Sequence, residues 1–180
     1  MKTQTGSHGA TTIITGGISR FVMLDRITAR TGNSMTTHTA LRDAPAYLAT
    51  ECMAQCAALH LRAALRFERH VFLLGMREVQ FAECPAPAPE DGCGLLTGTV
   101  ACTATRTGET ESGAAYLVAC RLLTASGTPA IHLASGEMLL SSVPYSERFP
   151  EQVLRPRYEA LFNDLISGSL LSPACREVRP

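Results

Sequence analysis

Glu51 is the residue of this chain best placed to move a proton. It stands in Asp43-Ala-Pro-Ala-Tyr-Leu-Ala-Thr-Glu-Cys-Met-Ala-Gln55, a stretch otherwise dominated by small and apolar side chains. Burial disfavours the charged form of a carboxylate, raises its pKa towards neutrality and so suits it to general acid or base work. The usual partner in such chemistry is an imidazole, and the chain has five histidines, His8, His38, His60, His70 and His132. His38 lies in Met35-Thr-Thr-His-Thr-Ala-Leu41, where strand alternation puts it on the face opposite Met35 and Leu41. His60 follows Glu51 by nine positions, about half a turn away round a helix at ~100° per residue, so the two cannot cooperate within one helix. The competing reading of Glu51 is a solvated stripe, because Gln55, Arg62, Arg66 and Arg69 fall within about 60° of it on the same wheel. Tyr47, Leu48, Ala54 and Ala58 interrupt that stripe, so only the C-terminal half of the helix has a continuous wet side.

The elements that must position these residues read as follows. Phe21-Val-Met-Leu24 is an apolar run, and Ile27 to Leu41 divides at Thr31-Gly32-Asn33 into two strand-length pieces, a hairpin. Asp43 as N-cap and Pro45 in the first turn open one long helix running to about Arg69, with Arg62, Arg66 and Arg69 complementing the dipole at its end. Val71 to Phe81 is a strand, Cys84 to Gly94 a Pro/Ala/Glu loop, and Leu95–Thr105, Ala114–Leu123 and Ala130–Leu140 three further strands with turns at Gly108, Gly113 and Ser126-Gly127. Hairpin, helix and antiparallel meander define an α+β domain in which one antiparallel sheet wraps around one long central helix. Residues 1–17 read as a flexible N-terminus, 18–143 as the domain, and 144–180 as an extension whose Tyr158, Leu161, Phe162 and Leu165 have helical spacing.

Composition bounds the partners. The 180 residues suit one domain, and 16 Lys+Arg against 16 Asp+Glu remove the electrostatic case for nucleic acid or an anionic membrane. No apolar run approaches the ~20 residues of a membrane span, and Met1 to Gly9 has no apolar core of a signal peptide. The seven cysteines are odd in number and irregularly spaced, which reads as reduced, buried thiols in a cytoplasmic protein, and no Cys or His spacing fits a metal.

From Arg20 to Leu140 the chain resembles the hotdog-fold β-hydroxyacyl-acyl carrier protein dehydratases. Met23-Leu-Asp-Arg26 is similar to their Leu-(Val/Leu)-Asp-Arg strand, and Pro45-Ala-Tyr-Leu-Ala-Thr-Glu-Cys-Met-Ala-Gln55 to their Pro-Gly-Val-Leu-x-x-Glu-Ala-x-Ala-Gln helix start. Leu73 to Phe81 resembles their Ala-Gly-x-x-x-x-x-Phe strand, and Pro87 to Gly92 takes the place of their Pro-Gly-Asp loop. The resemblance implies loss of water from a 3-hydroxyacyl thioester in fatty-acid or polyketide-type biosynthesis, on the phosphopantetheine arm of an acyl carrier protein and with no dissociable cofactor. It makes Glu51 the catalytic acid, gives the Ala46 amide to the thioester oxygen, and assigns Tyr47, Gln55 and Gly75 to substrate binding. The family's histidine, fourteen residues before the acid, is Thr37 here, and His38 reaches that role only through a bulge or irregular strand end. The resemblance therefore implies a homodimer, or a heterodimer in which a second hotdog subunit brings the histidine. A non-catalytic subunit and an acyl thioesterase are the alternatives on the same fold.

Overall fold

The computed structural model describes residues 22–82 and 95–168. Six strands, β1 (Arg26–Arg30), β2 (Ser34–Pro45), β3 (His70–Phe81), β4 (Leu95–Thr110), β5 (Gly113–Leu123) and β6 (Pro129–Val143), form one sheet. Two helices accompany them, α1 (Leu48–Ala64) and α2 (Glu151–Ser167). The strand order is β1-β2-β4-β5-β6-β3, with every neighbouring pair antiparallel. Because β3 lies beyond β6 and not beside β2, the chain crosses the whole sheet between β2 and β3, and α1 makes that crossing along the inner face.

Period-two burial fixes which side each strand residue takes. On β2, Met35, Thr37, Thr39 and Leu41 are buried and their neighbours are not. Val100, Cys102 and Ala104 of β4 and Tyr116, Val118 and Cys120 of β5 continue the same inner face. Against it α1 sets Ala49, Cys52, Met53, Cys56, Ala57 and His60, a small-residue face that lets helix and sheet approach closely.

The hairpin is where the sequence places it, with β1 and β2 joined through Thr31-Gly32-Asn33. The helix boundaries differ from the sequence reading. Asp43 does not cap α1: it sits at a bulge near the end of β2 with φ 46°, its amide donating to Thr97 Oγ1 and its carboxylate accepting from that hydroxyl, both at 3.0 Å. Pro45 belongs to β2, and Tyr47 precedes the helix without a side-chain cap. The far end comes at Ala64 and not Arg69, because Arg66 and Phe67 take left-handed conformations (φ 53° and 57°), leaving only Arg62 in the last turn. Gly108 is a bulge within β4 and not a turn, and the chain reverses at Glu111-Ser112. Gly113 opens β5, where an added Cβ would lie 2.2 Å from the Leu140 carbonyl oxygen.

Two of the four inner-face cysteines depart from the expectation of reduced thiols, and two meet it. Cys102 and Cys120 are register partners on β4 and β5 and form a disulfide, whereas Cys52 and Cys56 are free. Cross-strand pairing places two Cα atoms within bridging reach, and a linear count of cysteines contains no register. Cys84, Cys93, Cys175, residues 1–17 and the Pro87 to Gly92 loop lie outside the described residues.

The C-terminal extension carries α2, which begins well before Tyr158 and includes Pro156. Phe162 and Leu165 are buried, and α2 packs on β1 and α1. The dock is aromatic and cationic: Phe162 stacks edge-on with Phe67 at 5.4 Å, and the Arg62 guanidinium lies 4.3 Å from the centre of the Tyr158 ring. Among the described residues, no helix is long and apolar enough to cross a membrane.

Candidate functional site

Glu51 falls in the first turn of α1, where a negative charge is favoured by the helix dipole. It is half-buried. Gln55, one turn on, donates from Nε2 to Glu51 Oε1 at 2.8 Å, while its own Oε1 accepts the Met23 amide at 2.9 Å. The Met23 N–H can only donate, so the amide carbonyl of Gln55 must face it and the NH₂ must face Glu51. That orientation commits Glu51 Oε1 to accepting, and a proton carried by this carboxyl therefore resides on Oε2.

The segment Val22–Asp25 runs beside β2 and supplies the rest of this corner. Asp25 donates its amide to the His38 carbonyl at 2.9 Å and accepts the Ala40 amide on Oδ2. Asp25 stands in the Met23-Leu-Asp-Arg26 run, where the sequence gives its carboxylate no role. Burial first, then the carboxylates of Glu51 and Asp25, push the Cys52 thiol up to about 11, with a hydrogen bond from Thr39 opposing the shift. Burial likewise lifts Cys56 to about 11. Neither sulfur is an activated nucleophile, which requires a thiolate.

The other candidates are distributed unevenly. Ala46 and Tyr47 form the turn leading into α1, close in sequence to Glu51, and Tyr47 is 59 % exposed. Leu95, 60 % exposed, is the register partner of Pro45, so two large apolar side chains stand uncovered at this end of the sheet. Gly75 lies at a bulge on β3, the opposite edge from β1, and nothing lies within 4 Å of a Cβ built there. Thr37, at the position of the expected histidine, is fully buried under α1.

His38 and Glu51 are not brought together. His38 faces outward, away from α1, as alternation requires, and its Nδ1 accepts from Arg26 Nη2 at 3.0 Å. The remaining described histidines are engaged or distant. His60 is buried, bonded to Tyr116 Oη at 2.8 Å and to the Thr31 carbonyl at 3.3 Å. His70 meets Tyr158 Oη at 3.0 Å, and His132 is exposed on β6. Among the described residues of the chain, then, the Glu51 corner brings together an oriented carboxyl group, helix-start amides and an apolar rim, and no imidazole.

No family model matches the chain, and no curated protein matches it. Solved structures do match in fold. The dehydratase heterocomplex ApeI:P from Xenorhabdus doucetiae aligns at TM-score 0.51 and 14 % identity, covering 74 % of this chain and 90 % of that one. A thioesterase family protein from Silicibacter pomeroyi aligns at TM-score 0.52 and 11 % identity, over 66 % and 84 %. A thioesterase from Haemophilus influenzae aligns at TM-score 0.50 and 10 % identity, over 66 % and 77 %. The six-stranded antiparallel sheet with α1 packed on it is the hotdog fold of these proteins, and at such identities the likeness is one of fold.

Proposed function

We propose that the chain is a subunit of a hotdog-fold enzyme acting on acyl thioesters, and that its reaction is dehydration of a 3-hydroxyacyl chain carried by acyl carrier protein. The observation that carries this reading is the Glu51–Gln55–Met23 hydrogen-bond relay, which fixes one carboxyl oxygen as acceptor and leaves the other to hold the working proton. In the step itself an imidazole removes the proton α to the thioester, the 3-hydroxyl takes the Glu51 proton and departs as water, and a C=C bond forms. Solvent then returns a proton to Glu51 and removes one from the imidazole. The thioester oxygen, which gains charge as the α-proton leaves, is served by the amide of Ala46 at the start of α1. No dissociable cofactor enters this chemistry, because the thioester itself acidifies the α-carbon.

The imidazole comes from a second hotdog subunit in this proposal, since His38 lies across the sheet from Glu51. The edge strand β3 offers the contact. Leu73, Leu74, Met76 and Phe81 are exposed along it, at 39, 65, 47 and 49 %, an apolar row beside unpaired backbone donors and acceptors. The dehydratase heterocomplex among the fold neighbours supports a paired arrangement. Purified alone, the chain should dehydrate 3-hydroxyacyl carrier protein poorly, and assembly with a histidine-bearing hotdog partner should restore the rate. Full activity of the isolated chain would remove the need for that partner.

A thioesterase is the second reading. It is favoured by the same free oxygen of Glu51, which as carboxylate can activate a water without any imidazole. Release of free acid in place of the unsaturated thioester distinguishes the two, and a complex that does neither is a non-catalytic subunit.

A further inference from the structure

The outer face of the sheet, turned away from α1 and from Glu51, carries an open groove of about 700 Å³. Strand register shows how it is built. One lateral row reads Arg26, His38, Ala101, Arg121 and His132 across β1, β2, β4, β5 and β6. The next reads Thr36, Thr103, Ala119, Ser135 and Gln80 across β2, β4, β5, β6 and β3. A third contains Thr105, Leu117 and Glu137. The middle row is the groove floor, His38, Ala101 and Arg121 of the first row line one wall, and the third row together with Glu78 lines the other.

The wall formed by His38, Ala101 and Arg121 holds no carboxylate, and the groove's two carboxylates, Glu78 and Glu137, belong to its other side. Arg121 has no ion-pair partner among the described residues. Arg26 bonds to His38 Nδ1, which fixes Nδ1 as acceptor and leaves the proton of the neutral ring on Nε2, free to donate. Between His38 and Arg121 stands only the methyl group of Ala101. Neighbouring strands are ~4.8 Å apart, so His38 and Arg121 flank a notch about 10 Å wide. Two charge-assisted hydrogen bonds of about 2.8 Å and one tetrahedral oxyanion between them fill such a notch. Just below it, Thr36 Oγ1 and Thr103 Oγ1 lie 3.0 Å apart; their mutual bond uses one hydroxyl proton and leaves the other to donate.

We propose that this notch, over Ala101 and between His38 and Arg121, binds the phosphate group of a small phosphorylated molecule, or free phosphate. Arg121 supplies the charge, Arg26 fixes the His38 ring from behind, and His38 Nε2 and one hydroxyl of the threonine pair supply the donors. The site is independent of the reaction assigned to Glu51, since the sheet separates the two.

The test is a titration of the full chain with inorganic phosphate and, in parallel, with phosphoethanolamine, following the backbone amide resonances of Ala101, Thr103 and Arg121. Saturable shifts at these three positions are expected, weakened at least tenfold by Arg121→Ala and unchanged by Arg148→Ala, which removes the same charge from an exposed loop. Tighter binding of phosphoethanolamine assigns the site to a phosphate ester, and equal binding assigns it to the oxyanion itself. Ala101→Leu, which fills the notch and keeps every charge, should abolish the response. Absence of a saturable shift with either probe, or equal weakening by Arg121→Ala and Arg148→Ala, would overturn the proposal.

Discussion

Gln55 decides what Glu51 can do. A half-buried carboxyl with a neutral donor on one oxygen and nothing prescribed for the other has a defined place for its proton, and it owes that definition to a side chain one helical turn away. Replacing Gln55 with Ala should lower kcat by about 10- to 100-fold with little change in KM, since the acid is misplaced while the acyl chain is still held. The same change should cost about 1 kcal/mol of stability, because the Met23 amide loses its acceptor. Steady-state kinetics and denaturant unfolding of the variant check both, and a loss of stability with kcat intact would reduce Gln55 to a structural tie. The pairing was legible in the sequence, because residues four apart on a helix face each other. Asp43 was misread for an equally local reason. An Asp two residues before a Pro resembles a cap in one dimension, whereas here the Thr97 hydroxyl, 54 positions away, holds it in a bulge.

At the scale of elements, His60 joins α1 to the hairpin turn and to β5 through Thr31 and Tyr116. The Thr31 carbonyl only accepts, so Nε2 carries the proton and Nδ1 accepts from Tyr116, which makes the neutral ring the one that fits. Burial first, then nearby Arg106 and Arg30, hold its pKa below the ordinary value, with the Thr31 bond opposing them. His70 and His38 shift the same way. A histidine depressed in the folded state binds fewer protons there than when unfolded. Its contribution is fully present above the unfolded pKa of about 6.5 and is lost as pH falls through the folded pKa. Unfolding midpoints should therefore be flat near pH 8 and decline as the pH drops below about 6.5, and His60→Phe should lessen the slope. The disulfide is a second joint between elements. Cys102–Cys120 closes a loop of 18 residues, so Cys102→Ser with Cys120→Ser, or reduction, should cost about 3 kcal/mol on the loop-entropy model. Denaturant unfolding with and without reductant measures it, and no difference would show the bridge to be unimportant for stability. The strands themselves were legible, since their alternation survives in the sequence, and so was the outward direction of His38. Helix ends were not: two non-glycine residues, Arg66 and Phe67, adopt the left-handed turn that terminates α1, and sequence signals for a helix stop rely on glycine.

The whole molecule has two faces with different chemistry. The inner face and α1 carry the oriented acid, and the outer face carries the groove. The order of elements was readable because a hairpin, one helix and a meander admit few antiparallel arrangements. The proposal of a composite site starts from a histidine missing from the sequence, and Thr37, at that position, is buried under α1. Glu51→Gln in the chain assembled with a histidine-bearing hotdog partner is the most direct test of the account, read as the rate of water loss from 3-hydroxyacyl carrier protein beside the wild-type assembly. The account predicts a loss of at least about 100-fold with stability unchanged to within about 1 kcal/mol, because the variant keeps shape and hydrogen bonding but cannot deliver the proton. Retention of the wild-type rate would contradict it.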